Sequence, residues 1–131
     1  MRPVPIMAKN LDDVLVYRKA MKASGAVSAI LKRPALCKDF KLKDQLSRSS
    51  TRVGPLISEG FGQLTDRHLA AYLGRARGSA LETISHLEEC LTKAYISAAE
   101  HSDFNEMYDH IGRMLTRWIN YLQDSDWSDR G

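Results

Sequence analysis

Apolar residues recur along this chain at alternating spacings of four and three, the period of a helix with one buried face. The first run passes through Val16, Ala20, Ala23, Val27 and Ile30. It predicts a helix over about 11–32. Asn10 is placed as its N-cap, and Asp12 and Asp13 sit in the first turn, where carboxylates favour the positive end of the helix dipole. Leu11, Val14, Leu15 and Met21 add a second apolar edge. A helix wet on one side needs a single stripe, so the extra one predicts burial against something further, such as another subunit. Before this helix, Pro3 and Pro5 predict an extended lead-in over residues 1–9.

Arg33-Pro34 predicts the end of that helix and a connection over 33–38, because the residue before a proline is pushed out of the α region. A second helix is expected over 39–61, with Leu42, Leu46, Ser49, Val53, Leu56 and Gly60 on its inward seam. Ser49 and Gly60 are small, which predicts close backbone packing there. Gly54-Pro55 predicts a kink, or two shorter helices with Pro55 opening the second. Thr65 and Asp66 signal the start of a third helix, expected over 66–99, with Leu69, Leu73, Ala76, Ala80, Leu87, Leu91, Ala94 and Ala98 along its seam. At 1.5 Å per residue it would span roughly 50 Å. A fourth helix, capped by Ser102 and running over 103–123, has the cleanest seam, from Phe104 through Tyr108, Ile111, Leu115 and Trp118 to Leu122. The tail, residues 124–131, is expected to fray. No segment of any length alternates with period two. The pattern therefore predicts an all-α chain, a single antiparallel up-down-up-down four-helix bundle spanning residues 1–131.

The 131 residues suit one domain with one core. No apolar run approaches the ~20 residues of a membrane span. The start MRPVPIMAKN is too short and too broken by proline for a signal peptide, so a cytoplasmic location without membrane partners is expected. Cys37 and Cys90 are far apart and lack Cys-x-x-Cys spacing, which reads as two reduced thiols.

Charge changes the picture more. Residues 1–77 carry 15 Lys/Arg against 6 Asp/Glu, a net +9, whereas residues 78–131 carry 4 against 10, a net −6. Such a split marks either a nucleic-acid face or two opposite surfaces that meet between subunits or helices. Lys41, Arg48 and Arg52 share a face of the second helix, and Arg67, Arg75 and Arg77 follow on the third. A stripe of this kind neutralises phosphates, or else forms a solvated face that pairs with the acidic last helices. Exposed aromatics for base stacking are not evident, so contact with RNA or DNA through Lys41, Arg48, Arg52, Arg67 and Arg75 would be tolerant of sequence.

Catalytic chemistry finds little support. Glu82 and His86 are four apart, as are Glu106 and His110. Di-iron bundles use Glu-x-x-His with its ligands on the seam, so no metal and no cofactor is expected. Ser47, Ser49, Ser50 and Thr51 have no neighbouring histidine to act as base. The glycines around Phe61 lack a phosphate-loop pattern.

Three stretches carry a resemblance: Gln45-Leu46-Ser47-Arg48-Ser49-Ser50, then Glu59-Gly60-Phe61-Gly62, then Leu73 to Glu82, which reads LGRARGSALE. With the order of helices, these resemble the 23S ribosomal RNA intervening-sequence protein family. The helix order matches over roughly residues 10–123, and the specific motif covers 45–82. The resemblance implies a homopentamer of bundles arranged as a ring around a central channel, with no established enzymatic activity. Its relatives include the accessory protein of diversity-generating retroelements, a basic pentamer that engages a reverse transcriptase and nucleic acid. One departure is Ile57, where the family often carries asparagine. Glu59, Arg77, Ser79 and Glu82 are the motif's polar members, expected to form a satisfied structural cluster between the second and third helices. The expected role is a non-enzymatic oligomer that binds RNA or DNA. The alternative is a scaffold or accessory subunit that docks a partner protein.

Overall fold

A computed structural model describes residues 14–130, with side chains described to residue 124. Among the described residues the chain is all-α, with five helices and no strands. These are α1 (Leu15–Ile30), α2 (Pro34–Lys38), α3 (Phe40–Phe61), α4 (Asp66–Thr92) and α5 (Ala98–Arg130). Helix α3 packs on α4, α4 on α5, α5 on α1 and α1 on α3, while α2 rests on α3.

The four–three spacing places the core correctly except at the end of the third seam, where Leu91 is half-buried and Ala94 and Ala98 are exposed. Val16, Ala20, Ala23, Val27 and Ile30 on α1 are all buried, as are Leu42, Leu46, Val53, Leu56 and Ile57 on α3. Leu69, Leu73 and Leu87 on α4 meet Tyr108, Ile111, Leu115 and Leu122 on α5 in the same core. Of the second edge on α1, Val14 joins the core, whereas Leu15 and Met21 stay about half exposed. Leu11 and the Asn10 cap lie outside the described residues.

Several boundaries differ from expectation. The connection over 33–38 contains α2, a single turn with Pro34 in its first position, where a missing N–H leaves no helical bond unmade. Leu36 buries completely and anchors that turn. Helix α3 is continuous through Pro55, neither broken nor split in two. Proline frees the carbonyl four residues earlier, that of Thr51. Both Pro55 and Thr51 are exposed, on the solvent side of the helix where a freed carbonyl is least costly.

The largest correction concerns the α4–α5 boundary. Helix α4 ends at Thr92, seven residues before the expected end, and α5 begins at Ala98, not near 103. Between them Ala94 adopts a left-handed conformation, φ 60°. Its N–H donates to the Leu91 carbonyl at 2.9 Å, and the Tyr95 N–H donates to the Cys90 carbonyl at 2.9 Å. This bond pair is the Schellman motif, with alanine where glycine is usual. The cap of α5 is Ser97, not Ser102. The Glu100 N–H donates to Ser97 Oγ at 3.1 Å, and the Ser97 N–H donates to Glu100 Oε1 at 2.9 Å. The result is a reciprocal capping box. Helix α5 continues to Arg130, past the Gln123 where fraying was expected to begin.

Candidate nucleic-acid interface

Two contacts fix how α3 lies along α4, and with it the placement of the basic side chains. Near the middle, the hydroxyls of Thr83 and Ser49 share a hydrogen bond at 2.9 Å, with both groups buried. Near the α3–α4 turn, Gly60 lies against Leu69 and Tyr72, so that a Cβ at Gly60 would sit 2.9 Å from Tyr72 Cβ. The tight packing read from Ser49 and Gly60 is present, and Ser49 also makes the polar bridge between the helices. Gly54 forms a further notch on the other side of α3, filled by the Met21 side chain of α1.

On this hairpin Lys41, Arg48, Arg52, Arg67 and Arg75 are all exposed. Lys41 stands in the first turn of α3 and Arg67 in the first turn of α4. The set therefore runs roughly 30 Å along the hairpin and is not gathered at one point. Arg48 pairs with Asp44 on its own helix at 3.0 Å, in a geometry so exposed that the pair contributes little to stability. The Arg75 guanidinium lies 5.3 Å from the centre of the Tyr72 ring. Among the described residues, Lys41, Arg52 and Arg67 have no carboxylate partner. The described acids of the last two helices make no ion pair with these three.

The structure does not bring the polar motif together. Glu59, Arg77 and Glu82 are exposed and Ser79 alone is buried, its carbonyl accepting the Thr83 hydroxyl at 2.8 Å. Helical spacing turns the three charged members outward, so the buried polar contact is made by the hydroxyls of Ser49 and Thr83. Glu82 stands 4.0 Å from His86, one turn along α4.

A polar clasp that the sequence reading missed ties the two connections at the far end of the hairpin. Arg33 reaches the Tyr95 carbonyl at 3.1 Å and grips both carboxylate oxygens of Glu100. Asp39 caps α3 and accepts from Lys93 Nζ at 2.9 Å and from the Tyr95 hydroxyl at 2.8 Å. Arg33, aided by the Ser97 N–H, holds the Glu100 carboxyl down to about 2. Lys93, then Tyr95, hold Asp39 below the usual carboxylate range. Ser97-x-x-Glu100 was the legible signal for part of this clasp.

Both cysteines are free, and burial pushes the Cys90 thiol up to about 11, so it stays protonated at neutral pH. Among the described residues no group of three or more His, Cys, Asp or Glu side chains converges to hold a metal ion. Nor is any helix among them long and apolar enough to cross a membrane.

The comparison that decides the family is a match over residues 12–117 to the model of the 23S rRNA-intervening sequence protein. The chain belongs to that family. The match spans α1, α3 and α4 and most of α5. The crystal structure of a protein of unknown function from the S23 ribosomal protein family, from Bacteroides thetaiotaomicron, has a similar fold. Its TM-score is 0.74 at 23% identity, over 79% of this chain and 97% of that one. No curated protein matches the chain.

Proposed function

We propose that this member of the 23S rRNA-intervening sequence family is a non-enzymatic, cytoplasmic, self-associating protein that binds RNA or DNA electrostatically. Its four long helices form an up-down-up-down bundle, and copies of that bundle assemble, as a ring of five in the arrangement the family resemblance implies. The observation that carries the reading is the α3–α4 hairpin. It presents Lys41, Arg48, Arg52, Arg67 and Arg75 to solvent, and among the described residues Arg48 pairs with a carboxylate while Lys41, Arg52 and Arg67 do not. Five cations spread over roughly 30 Å match a polyanion tracked along its length, not one phosphate gripped in a pocket. Repetition around an oligomer multiplies the phosphates that one strand can offer to the same particle. The half-exposed Leu15 and Met21 on α1 supply apolar surface for self-association.

The test is the salt dependence of binding. Chain freed of nucleic acid is titrated into labelled single-stranded RNA, single-stranded DNA and duplex DNA, with anisotropy read at several salt concentrations. Binding should weaken steeply with salt and vary little with sequence. Changing Lys41, Arg48 and Arg52 together to Ala removes three cations from each chain. The slope of log K against log salt should become shallower by about 2–3 for each chain that engages the strand. An unchanged slope and affinity in the triple variant would overturn the assignment of this face.

A further inference from the structure

Phe40, the first residue of α3, is 77% exposed. Its place on the helix explains this. Leu42 and Leu46 turn inward and are fully buried, and stepping back two residues from Leu42 is a rotation of about 200°, which carries Phe40 to the outside. No exposed aromatic was evident in the sequence, yet the structure puts one at the start of the basic hairpin. The backbone beneath the ring is held firmly. Asp39 caps α3 by accepting the Leu42 N–H, and it also binds Lys93 and the Tyr95 hydroxyl. Leu36, completely buried, anchors the turn just before it.

The surroundings of the ring are cationic. Lys38 and Lys41, on either side of it in the chain, are both exposed. Among the described residues neither meets a carboxylate. The acids close to Phe40 in sequence are already engaged, Asp39 by Lys93 and Asp44 by Arg48. Arg48 and Arg52 follow Lys41 along one face of α3, at roughly 12 and 18 Å of helix rise from Phe40. Phe40 stands about 100° around the axis from Lys41, at the side of that stripe. Other rings of the hairpin are less open. Phe61 and Tyr72 are half-buried, and the Arg75 guanidinium already lies over Tyr72. Cations without partners beside an open ring fit a polyanion that also offers flat apolar faces, which is single-stranded RNA or DNA. A duplex offers the same phosphates but keeps its base faces stacked inside itself.

Building on the electrostatic binding proposed above, we propose that Phe40 is a stacking platform for an unpaired base, so that this face takes single-stranded RNA or DNA in preference to duplex. A strand whose phosphates follow Lys41, Arg48 and Arg52 carries its bases to one side, and Phe40 meets one of them there. Every base has a π face, so the contact reads strandedness and not sequence.

The full chain and its Phe40→Ala, Phe40→Leu and Phe40→Tyr variants are titrated into a labelled single strand and a duplex of the same length. The parent should favour the single strand. Phe40→Ala and Phe40→Leu should each lose about tenfold in single-strand affinity and keep the duplex affinity, whereas Phe40→Tyr keeps both. The slope of log K against log salt should stay the same in all four, because no cation is removed. Single-strand affinity untouched in Phe40→Ala overturns the proposal and leaves the electrostatic reading standing. Equal losses on single strand and duplex overturn it, and so does full affinity in Phe40→Leu, which has no π face. A change of particle mass in Phe40→Ala, read by light scattering, would give the ring to an interface between copies and also overturns it. A parent chain that binds neither probe defeats the electrostatic reading, and this proposal falls with it. The native chain supplies an independent check through photo-crosslinking to a single strand bearing 5-iodouridine. The expected adduct is on Phe40, located by mass spectrometry, and a pattern of adducts without Phe40 overturns the proposal.

Discussion

Glycine-to-alanine changes at four helical positions should differ in sign, and the difference follows from what each new Cβ would meet. Gly60 does not need glycine for its backbone angle, since no glycine among the described residues has positive φ. It needs it for clearance. A Cβ there would stand 2.9 Å from Tyr72 Cβ and 3.1 Å from Leu69 Cδ1, against the ~3.5–4.0 Å of an ordinary carbon contact. Tyr72 Cβ is fixed to the α4 backbone, so relief requires the helices to part by about half an ångström or more. Overpacking of this kind costs about 1–3 kcal/mol. The helical preference for alanine returns up to ~1 kcal/mol, less in the last turn where Gly60 lies. Gly60→Ala should therefore destabilise by about 1 kcal/mol. Gly74 and Gly78 sit on the outside of α4 with nothing within 4 Å of a Cβ. There the helical preference acts alone, and Gly74→Ala or Gly78→Ala should stabilise by about 1 kcal/mol. Gly54→Ala lies between these cases, because the obstructing atom is the sulfur of Met21, a flexible and half-exposed side chain that can swing aside. Urea unfolding followed by circular dichroism at one fixed chain concentration measures all four, and each kcal/mol corresponds to about 3–5 °C in Tm. If Gly60→Ala gained stability as Gly74→Ala does, the close α3–α4 crossing would be wrong.

Ala94→Gly should stabilise by about 0.5–1 kcal/mol, because it removes the left-handed strain of alanine at a Schellman position, and a thermal melt checks it. Thr83→Val keeps the shape but deletes the buried hydrogen bond to Ser49, and should cost about 1 kcal/mol in urea unfolding. Folded Glu100 and Asp39 bind protons more weakly than they would in the unfolded chain. Their contribution is therefore complete above the ordinary carboxylate range and is lost as pH falls from about 4.5 towards about 2. Urea midpoints measured down that window should fall, and Arg33→Ala should flatten the fall. A variant with the same acid limb as the parent would remove Arg33 from the clasp.

The seams were legible because burial on a helix imposes its period on the sequence, and nothing competes with that signal from Phe104 to Leu122. The α4–α5 boundary was not legible from the seam. Ala94 and Ala98 fall on the helical period, and the turn between them contains neither glycine nor proline. The Ser97-x-x-Glu100 box was the signal to weigh, since it reports a helix start whatever the periodicity says. Pro55 misled in the opposite direction. Its penalty depends on whether the freed carbonyl meets water, and exposure at Thr51 is a tertiary fact. Likewise, a motif of charged residues close in sequence suggested a buried cluster, yet Glu59, Arg77 and Glu82 face solvent and the hydroxyls of Ser49 and Thr83 make the contact. The basic face could be counted from the sequence. Which of its members lack carboxylate partners depends on where α5 places its acids.

In the proposed function, copies of this helical unit associate and together hold a nucleic acid. Light scattering on the full chain at micromolar concentration, before and after nuclease, tests it most directly. The expected particle is several times the 14.8 kDa of one chain, loses mass on nuclease treatment and settles at a whole-number multiple above one. A particle of 14.8 kDa that nuclease leaves unchanged would contradict it.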